Sequence, residues 1–218
     1  MRSLLLTTAA LAALTTPALA ATAVDEVIVT AARLPSSPEV ITGAHVIDRA
    51  EIEARGVGFA ADLLSTVPGV SLARTGAFGG TAAIRIRGAS PDKTLVLIDG
   101  VPVNDPSDPN GPFDAGALQA ADLERVEVLS GPQGSLWGSE AIGGVVAFTT
   151  RELTGARASV EAGSFATVRG FAGAGTANDA YALSANIGAV RTDGISKADT
   201  GTEKDGFRSL TANLLLRR

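Results

Sequence analysis

The sequence predicts an α+β domain, a mixed sheet with short helices and long loops, followed by the first antiparallel strands of a large transmembrane β-barrel. Three observations predict it. Up to residue 150, short β-branched runs alternate with helix-capping and turn signals. After it, four segments of about eight to eleven residues alternate apolar with polar side chains, as strands do when one face meets lipid and the other a lumen. The first twenty residues have the build of an export signal.

That signal opens the chain. Arg2 is a short positive start, residues 4–20 are mostly apolar, and Ala18-Leu19-Ala20 fits the small-x-small cleavage rule, so cleavage after Ala20 is expected. A linker, residues 21–38, follows. Within it Asp25 and Glu26 precede the β-prone run Val27-Ile28-Val29-Thr30, and Pro35 and Pro38 lie just beyond. Such a run suits addition to the edge of another protein's sheet, where backbone hydrogen bonds supply affinity. An edge strand of the same domain fits these residues equally well.

Residues 39–150 form the mixed domain. "AHVID" is a short strand. Asp48 caps the next helix with Glu51 as its capping-box partner, and Gly56 stops it. "FAADLLSTVPGV" is a second short helix ending before Pro68. In "AAIRIRG", Ile84 and Ile86 make an apolar face opposite Arg85 and Arg87. "TLVLIDGVPV" is a hairpin turning at Asp99-Gly100. "VNDPSDPNGPFD" is a loop, and "LERVEVLSG" a strand with Val126 and Val128 opposite Glu127.

Residues 151–218 hold the barrel strands. In "AYALSANIGAV", Tyr181, Leu183, Ala185, Ile187 and Ala189 oppose Ser184 and Asn186. In "FRSLTANLLLRR", Leu210, Ala212, Leu214 and Leu216 oppose Ser209, Thr211 and Asn213. Two short connections and one long polar one, "RTDGISKADTGTEKDG", match the short inner turns and longer outer loops of such barrels. A soluble meander would show the same alternation.

Composition narrows function. The net charge of -5 argues against a nucleic-acid partner, which favours an excess of Lys and Arg. With no Cys and the single His45, no zinc site is expected. The glycine-rich stretch 130–150 resembles a phosphate loop, but Gly144 and Val145 stand where Lys and Ser or Thr belong. Neither Ser135 nor Ser139 sits in a nucleophile elbow. The oxygen-rich loop with Asp105, Asp108, Asn110 and Asp114 departs from the calcium-hand template. No enzyme, metal or cofactor is expected. The glycines there permit tight turns and close backbone approach.

"DEVIVTA", "IRIRG", "VLIDGVPVND" and "VEVLSGPQGSLWGSEAIGGVVAFTTR" together resemble the TonB-dependent receptors of the Gram-negative outer membrane, most closely the vitamin B12 and small-siderophore branch. The resemblance covers residues 25–151. It implies a plug domain inside a barrel, with substrate held on outer plug loops and TonB paired with the box at Asp25, Glu26, Val27, Ile28, Val29, Thr30 and Ala31. It further implies that the 130–150 stretch packs against the barrel wall. Substrate contacts are expected at Arg74, Phe78, Asn104, Asp105 and Phe113. Ion pairs between plug and wall are expected at Arg85, Arg87, Glu124, Arg125, Glu127, Glu140 and Arg151. Ser130 and Ala147 depart from the family pattern of Arg or Lys before "GP" and Asn after "GGVV", so plug locking should be weaker or arranged differently.

Four strands cannot close a barrel, whose smallest size is about eight. The chain is therefore expected to be a fragment, inactive alone, of a receptor for energised uptake of a cobalamin or siderophore. The alternative is a free periplasmic plug-like module that binds substrate without a barrel.

Overall fold

The computed structural model describes residues 43–217, except 77, 78, 106, 108–110, 179 and 199. The export signal, the segment 25–31 and Phe78 lie outside the described residues. In chain order the domain carries β1 (Ala44–Ile47), α1 (Arg49–Arg55), α2 (Ala60–Leu64), β2 (Val70–Arg74), β3 (Ala82–Ile86), β4 (Thr94–Ile98), β5 (Val101–Pro102), β6 (Leu123–Ser130), α3 (Gly134–Trp137) and β7 (Gly144–Thr150). Four long strands follow: β8 (Gly155–Gly163), β9 (Thr167–Ala177), β10 (Ala182–Thr192) and β11 (Phe207–Arg217).

The domain's main sheet has the order β1-β6-β7-β4-β5. β4 and β7 run parallel, and the other pairs antiparallel, so the sheet is mixed. A parallel pair needs a long crossover, and residues 99–143 supply it. On one face of this sheet Ile47, Val96, Val126, Val128, Val146 and Phe148 pack with Ile52 of α1, Leu63 and Leu64 of α2, and Ile84 and Ile86 of the separate β2–β3 hairpin. The expected apolar face of β3 is thus the buried one. A smaller cluster, including Leu95, Leu97, Leu129, Val145 and Ala147, fills the other face.

Local signals act as expected. The Asp48 carboxylate accepts from Glu51 N at 2.8 Å, and Gly56 ends α1 in the left-handed region at φ 61°. The Glu51 side chain, however, pairs with Arg55 one turn on. The capping box is therefore half formed, because an i,i+4 partner competes for the carboxylate. Asp99 and Gly100 both have positive φ, 50° and 80°, as a two-residue hairpin of the right-handed twist requires. Asp99 also accepts from Thr150 N at 2.8 Å and from its hydroxyl at 2.7 Å, tying the hairpin to the end of β7.

The glycines of the 130–150 stretch are crowded by their own domain, and its end, Thr149 and Thr150, lines a cleft with Ser184, Asn186 and Asn213 of the long strands. A Cβ at Gly144 would meet Leu129 O at 2.3 Å and Ile86, and one at Gly143 would meet Ala89 at 2.8 Å and Lys93 O at 3.0 Å. Glycine there lets the chain enter β7 between β6 and β4.

β8 to β11 form an open antiparallel sheet in sequence order. Register places Leu183, Ala185, Ile187 and Ala189 of β10 beside Leu216, Leu214, Ala212 and Leu210 of β11 on one face. These are exposed, whereas Ser184, Asn186, Val190 and Thr192 on the opposite face of β10 are buried. The mixed domain covers that second face. Apolar-out, polar-in alternation is therefore realised in three dimensions, with the domain on the polar side. Among the described residues no helix is long and apolar enough to cross a membrane, which leaves strands unaddressed.

Candidate functional site

The feature with functional content is the seam between the domain and the polar face of the long strands. Small residues on that face admit the domain closely. Leu153, 2% exposed, enters a notch over β9, where a Cβ at Gly173 would lie 2.5 Å from its Cδ1. Gln119 sits against Gly188 of β10. The Phe59 ring meets the Phe207 ring edge-on, with centroids 6.0 Å apart. Arg169 of β9 lies over Gly58, close enough that any side chain there would displace its guanidinium.

Charge is concentrated at one part of the seam. A cleft of about 600 Å³ between α1 and β8–β9 is lined in part by Arg49, Glu53, Arg151, Arg157, Glu161 and Arg169. Glu53 Oε1 lies 2.9 Å from Arg49 Nε and 3.3 Å from Arg151 Nη2, so one carboxylate serves two cations. The Arg49 hydrogen bond and charge hold Glu53 below the ordinary carboxylate range. Arg151 is 8% exposed, and burial and the neighbouring Arg49 and Arg157 depress its own value. Arg49 also donates to Leu123 O at 2.6 Å. On the strands Arg169 pairs with Glu161 at 2.9 Å, and Arg217 reaches Glu152, beside Leu153, at 2.8 Å.

A second node is more deeply enclosed. Thr211 of β11 donates to Asp122 Oδ2 at 3.4 Å, while Asp122 Oδ1 and the amide nitrogen of Gln119 are buried without hydrogen-bond partners. Burial raises the Asp122 carboxyl above its ordinary value, and Asn213 and Thr211 oppose the rise. Asn213 in turn donates to Asn186 at 3.0 Å across the strands.

The residues expected to pair across the seam divide into groups. Arg151 has a partner, Glu53, on the domain's own helix. Arg125 and Glu127 lie 3.0 Å apart on the same strand, so this pair closes within the domain rather than across the seam. Alternate positions on a strand share a face, which is why two opposite charges spaced by one residue meet. Glu124 adds charge near Arg151. Glu140 is exposed, and Arg85 and Arg87 make no ion pair among the described residues. Arg87 instead lies against Gly43 and Gly131.

Of the expected substrate contacts, Arg74 pairs with Asp62 at 2.6 Å. Asn104 uses both ends of its amide on β4, accepting from Val96 N at 2.8 Å and donating to Thr94 O at 3.1 Å. Asp105 closes a local turn onto Ser107. Phe113 packs on Phe148 with centroids 6.3 Å apart. Sequence reading missed Arg49, Glu53, Asp122, Arg169 and Thr211. Only Arg49 and Glu53 carried a signal, their i,i+4 spacing on the capped helix.

A mixed-sheet domain seated on the polar side of strands that are apolar outside defines the plugged class of membrane β-barrel protein. Comparison with known proteins agrees. The family model described as TonB-dependent Receptor Plug Domain matches residues 37–145. A vitamin B12 transporter, BtuB, of Vibrio vulnificus is 40% identical over 127 residues, 58% of this chain and 20% of that protein. Among solved structures, the siderophore receptor PirA of Pseudomonas aeruginosa aligns with a TM-score of 0.57 at 28% identity, over 80% of this chain and 32% of that one. A mutant of the ferric enterobactin receptor PfeA of the same organism aligns at 0.60 and 23% identity, over 80% and 30%, showing the shared fold. The chain belongs to the TonB-dependent receptor plug family, near its vitamin B12 and siderophore branch. It spans 20% of the length of this B12 transporter relative.

Proposed function

We propose that residues 39–150 are the plug and 151–218 the leading wall strands of an outer-membrane receptor that takes up a metal chelate, a cobalamin or a siderophore. Residues 1–20 direct export. Asp25 to Ala31 are the strand that periplasmic TonB pairs with and pulls. The observation that carries this reading is the seat of the plug: a mixed sheet resting largely on glycines and polar side chains of strands whose other side is apolar. A surface of that kind slides or parts more readily than an apolar core, because water replaces its hydrogen bonds as they break. The protein makes and breaks no covalent bonds. Its work is to hold substrate on the outer side and to open a polar route when the plug is drawn. The charged cleft between α1 and β8–β9 is where such a route would begin.

Substrate contact belongs to the outer loops, which carry Arg74, Phe78, Asn104, Asp105 and Phe113. Since Arg74 and Asn104 already hold partners, substrate displaces Asp62 from Arg74 or meets the loop backbone beside Asn104.

Photo-crosslinking tests the partner. With a crosslinker at Val27 or Val29, purified TonB periplasmic domain is captured, and Val27→Pro abolishes capture by removing a ladder donor. Fractionation tests the location: the chain sediments with outer membranes. Recovery in the soluble periplasm would instead identify a plug-like binding module. Four strands leave the wall open, and we infer that the 218-residue chain alone does not transport; sustained TonB-dependent cobalamin or siderophore uptake by it overturns that inference.

A further inference from the structure

The outward face of β8–β11 is apolar or small along nearly its whole length. It carries two charged side chains, Arg191 and Arg208, and the register sets them directly opposite each other on β10 and β11. Both are exposed, and neither has a carboxylate within ion-pair distance among the described residues. Among the described residues, the acidic side chains of the adjoining loop have other partners. Asp193 faces Lys204 at 3.5 Å, Glu203 accepts from Ser196, and Asp205 accepts from Lys197 N. Two like charges opposite each other destabilise a ladder unless a counter-charge joins them.

Their height on the wall says where the counter-charge comes from. Tyr181 stands at the other end of β10, half-exposed, where an interfacial aromatic is expected. From Tyr181 to Arg191 the strand spans about 33 Å at its usual rise. Tilted as barrel strands are, that is roughly the 25 Å of the apolar band. The arginines thus mark the far rim, beside the long 193–206 connection that belongs on the outer side.

We propose that Arg191 and Arg208 clamp a phosphate group of a lipid headgroup in the outer leaflet. Opposed strand positions bring two planar guanidinium groups within reach of one phosphate, which arginine binds in bidentate fashion. The acyl chains lie down the apolar face beneath, over Leu210 and Ile187. This rests on the outer-membrane reading above, and the test separates the two.

The chain with its export signal is extracted in mild detergent from outer-membrane pellets. Native mass spectrometry then follows titration with diphosphoryl lipid A. Wild type retains the lipid, R191Q/R208Q retains it roughly tenfold less, as loss of two charge-assisted bonds implies, and R191K/R208K recovers part of it. R217Q, at the other rim, changes nothing. Equal retention by R191Q/R208Q, or equal retention of dephosphorylated lipid A, overturns the clamp while leaving the receptor reading intact. Displacement of the lipid by inorganic phosphate alone overturns its assignment to a lipid. Absence of wild type from the pellets overturns the membrane reading and the clamp with it.

Discussion

The side chain of Leu153 occupies the space that a Cβ on Gly173 would fill: the ideal position is 2.5 Å from Leu153 Cδ1 and 2.8 Å from the Asn186 Cβ. This pair registers the plug's exit segment against the wall. Leu153→Ala should cost about 2–3 kcal/mol, the usual range for emptying a buried leucine site. Gly173→Ala should cost about 1–3 kcal/mol by overpacking. The double variant should lose less than the sum, since the second change makes room for the first. Urea unfolding midpoints read all three. Gly175→Ala should be the harsher change, because its Cβ would meet the backbone oxygen of Leu153 at 2.2 Å, which no rotamer relieves.

Glu53 holds two arginines, one of them nearly buried, so the two ways of breaking the cluster are not equivalent. Glu53→Gln leaves Arg151 enclosed without its counter-charge. Because the Glu53 side chain is 52% exposed, water softens the loss to about 1 kcal/mol. Arg151→Met removes the desolvated charge along with its partner's need for it, and should be milder. The folded value of Glu53 is depressed, so its contribution is present above the ordinary carboxylate range and lost as pH falls through the folded value. Thermal melts of wild type and Glu53→Gln should therefore converge in acid. Melts that stay apart there would contradict the pairing.

Asp122 has the opposite sign. Its folded value is raised above 3.8, so the folded state binds the proton more tightly than the unfolded chain does. Its stabilising effect is complete below that ordinary value and disappears as pH rises through the raised one. Asp122→Asn, which keeps the hydrogen bond to Thr211 and removes the charge, should match wild type in acid and exceed it at neutral pH. Hydrogen exchange in β11 around Thr211 is the direct readout, with slower exchange expected in the variant at neutral pH. Equal exchange at both pH values would remove Asp122 from the seam's pH response.

Much of the fold could be read from local chemistry. The Asp48 cap, the Gly56 stop, the Asp99-Gly100 turn and the alternation in β10 and β11 are each decided within a few residues, and each is present. The seam was less legible because its partners are far apart in sequence. Asp122 and Thr211 are 89 residues apart, and nothing local marks either. Gly173 and Gly175 carry no local mark that sets them apart, yet they make the notch for Leu153. The 130–150 glycines signalled crowding correctly, but composition does not say which neighbour crowds them. Loop position marks Asn104 and Phe113 but not their neighbours within the domain, the backbone of β4 for Asn104 and the Phe148 ring for Phe113.

Asp99 couples two parts of the plug. It occupies a left-handed position at φ 50°, and its carboxylate takes both the amide and the hydroxyl of Thr150, where β7 ends and the chain leaves for the wall. Three variants separate these roles. Asp99→Gly eases the backbone but forfeits both hydrogen bonds. Asp99→Asn keeps the left-handed preference and one acceptor, and should cost about 0.5–1 kcal/mol as a charged acceptor becomes neutral. Asp99→Ala suffers on both counts and should lose about 2–3 kcal/mol, a lost pair of hydrogen bonds together with the left-handed penalty of a Cβ. If the turn geometry alone mattered, glycine would be as good as aspartate. If the clamp alone mattered, alanine and glycine would be equal. The expected order in denaturant midpoint is Asp, Asn, Gly, Ala, and the Thr150→Val variant should erase part of the gap between Asp and Gly, because the hydroxyl that distinguishes them is gone.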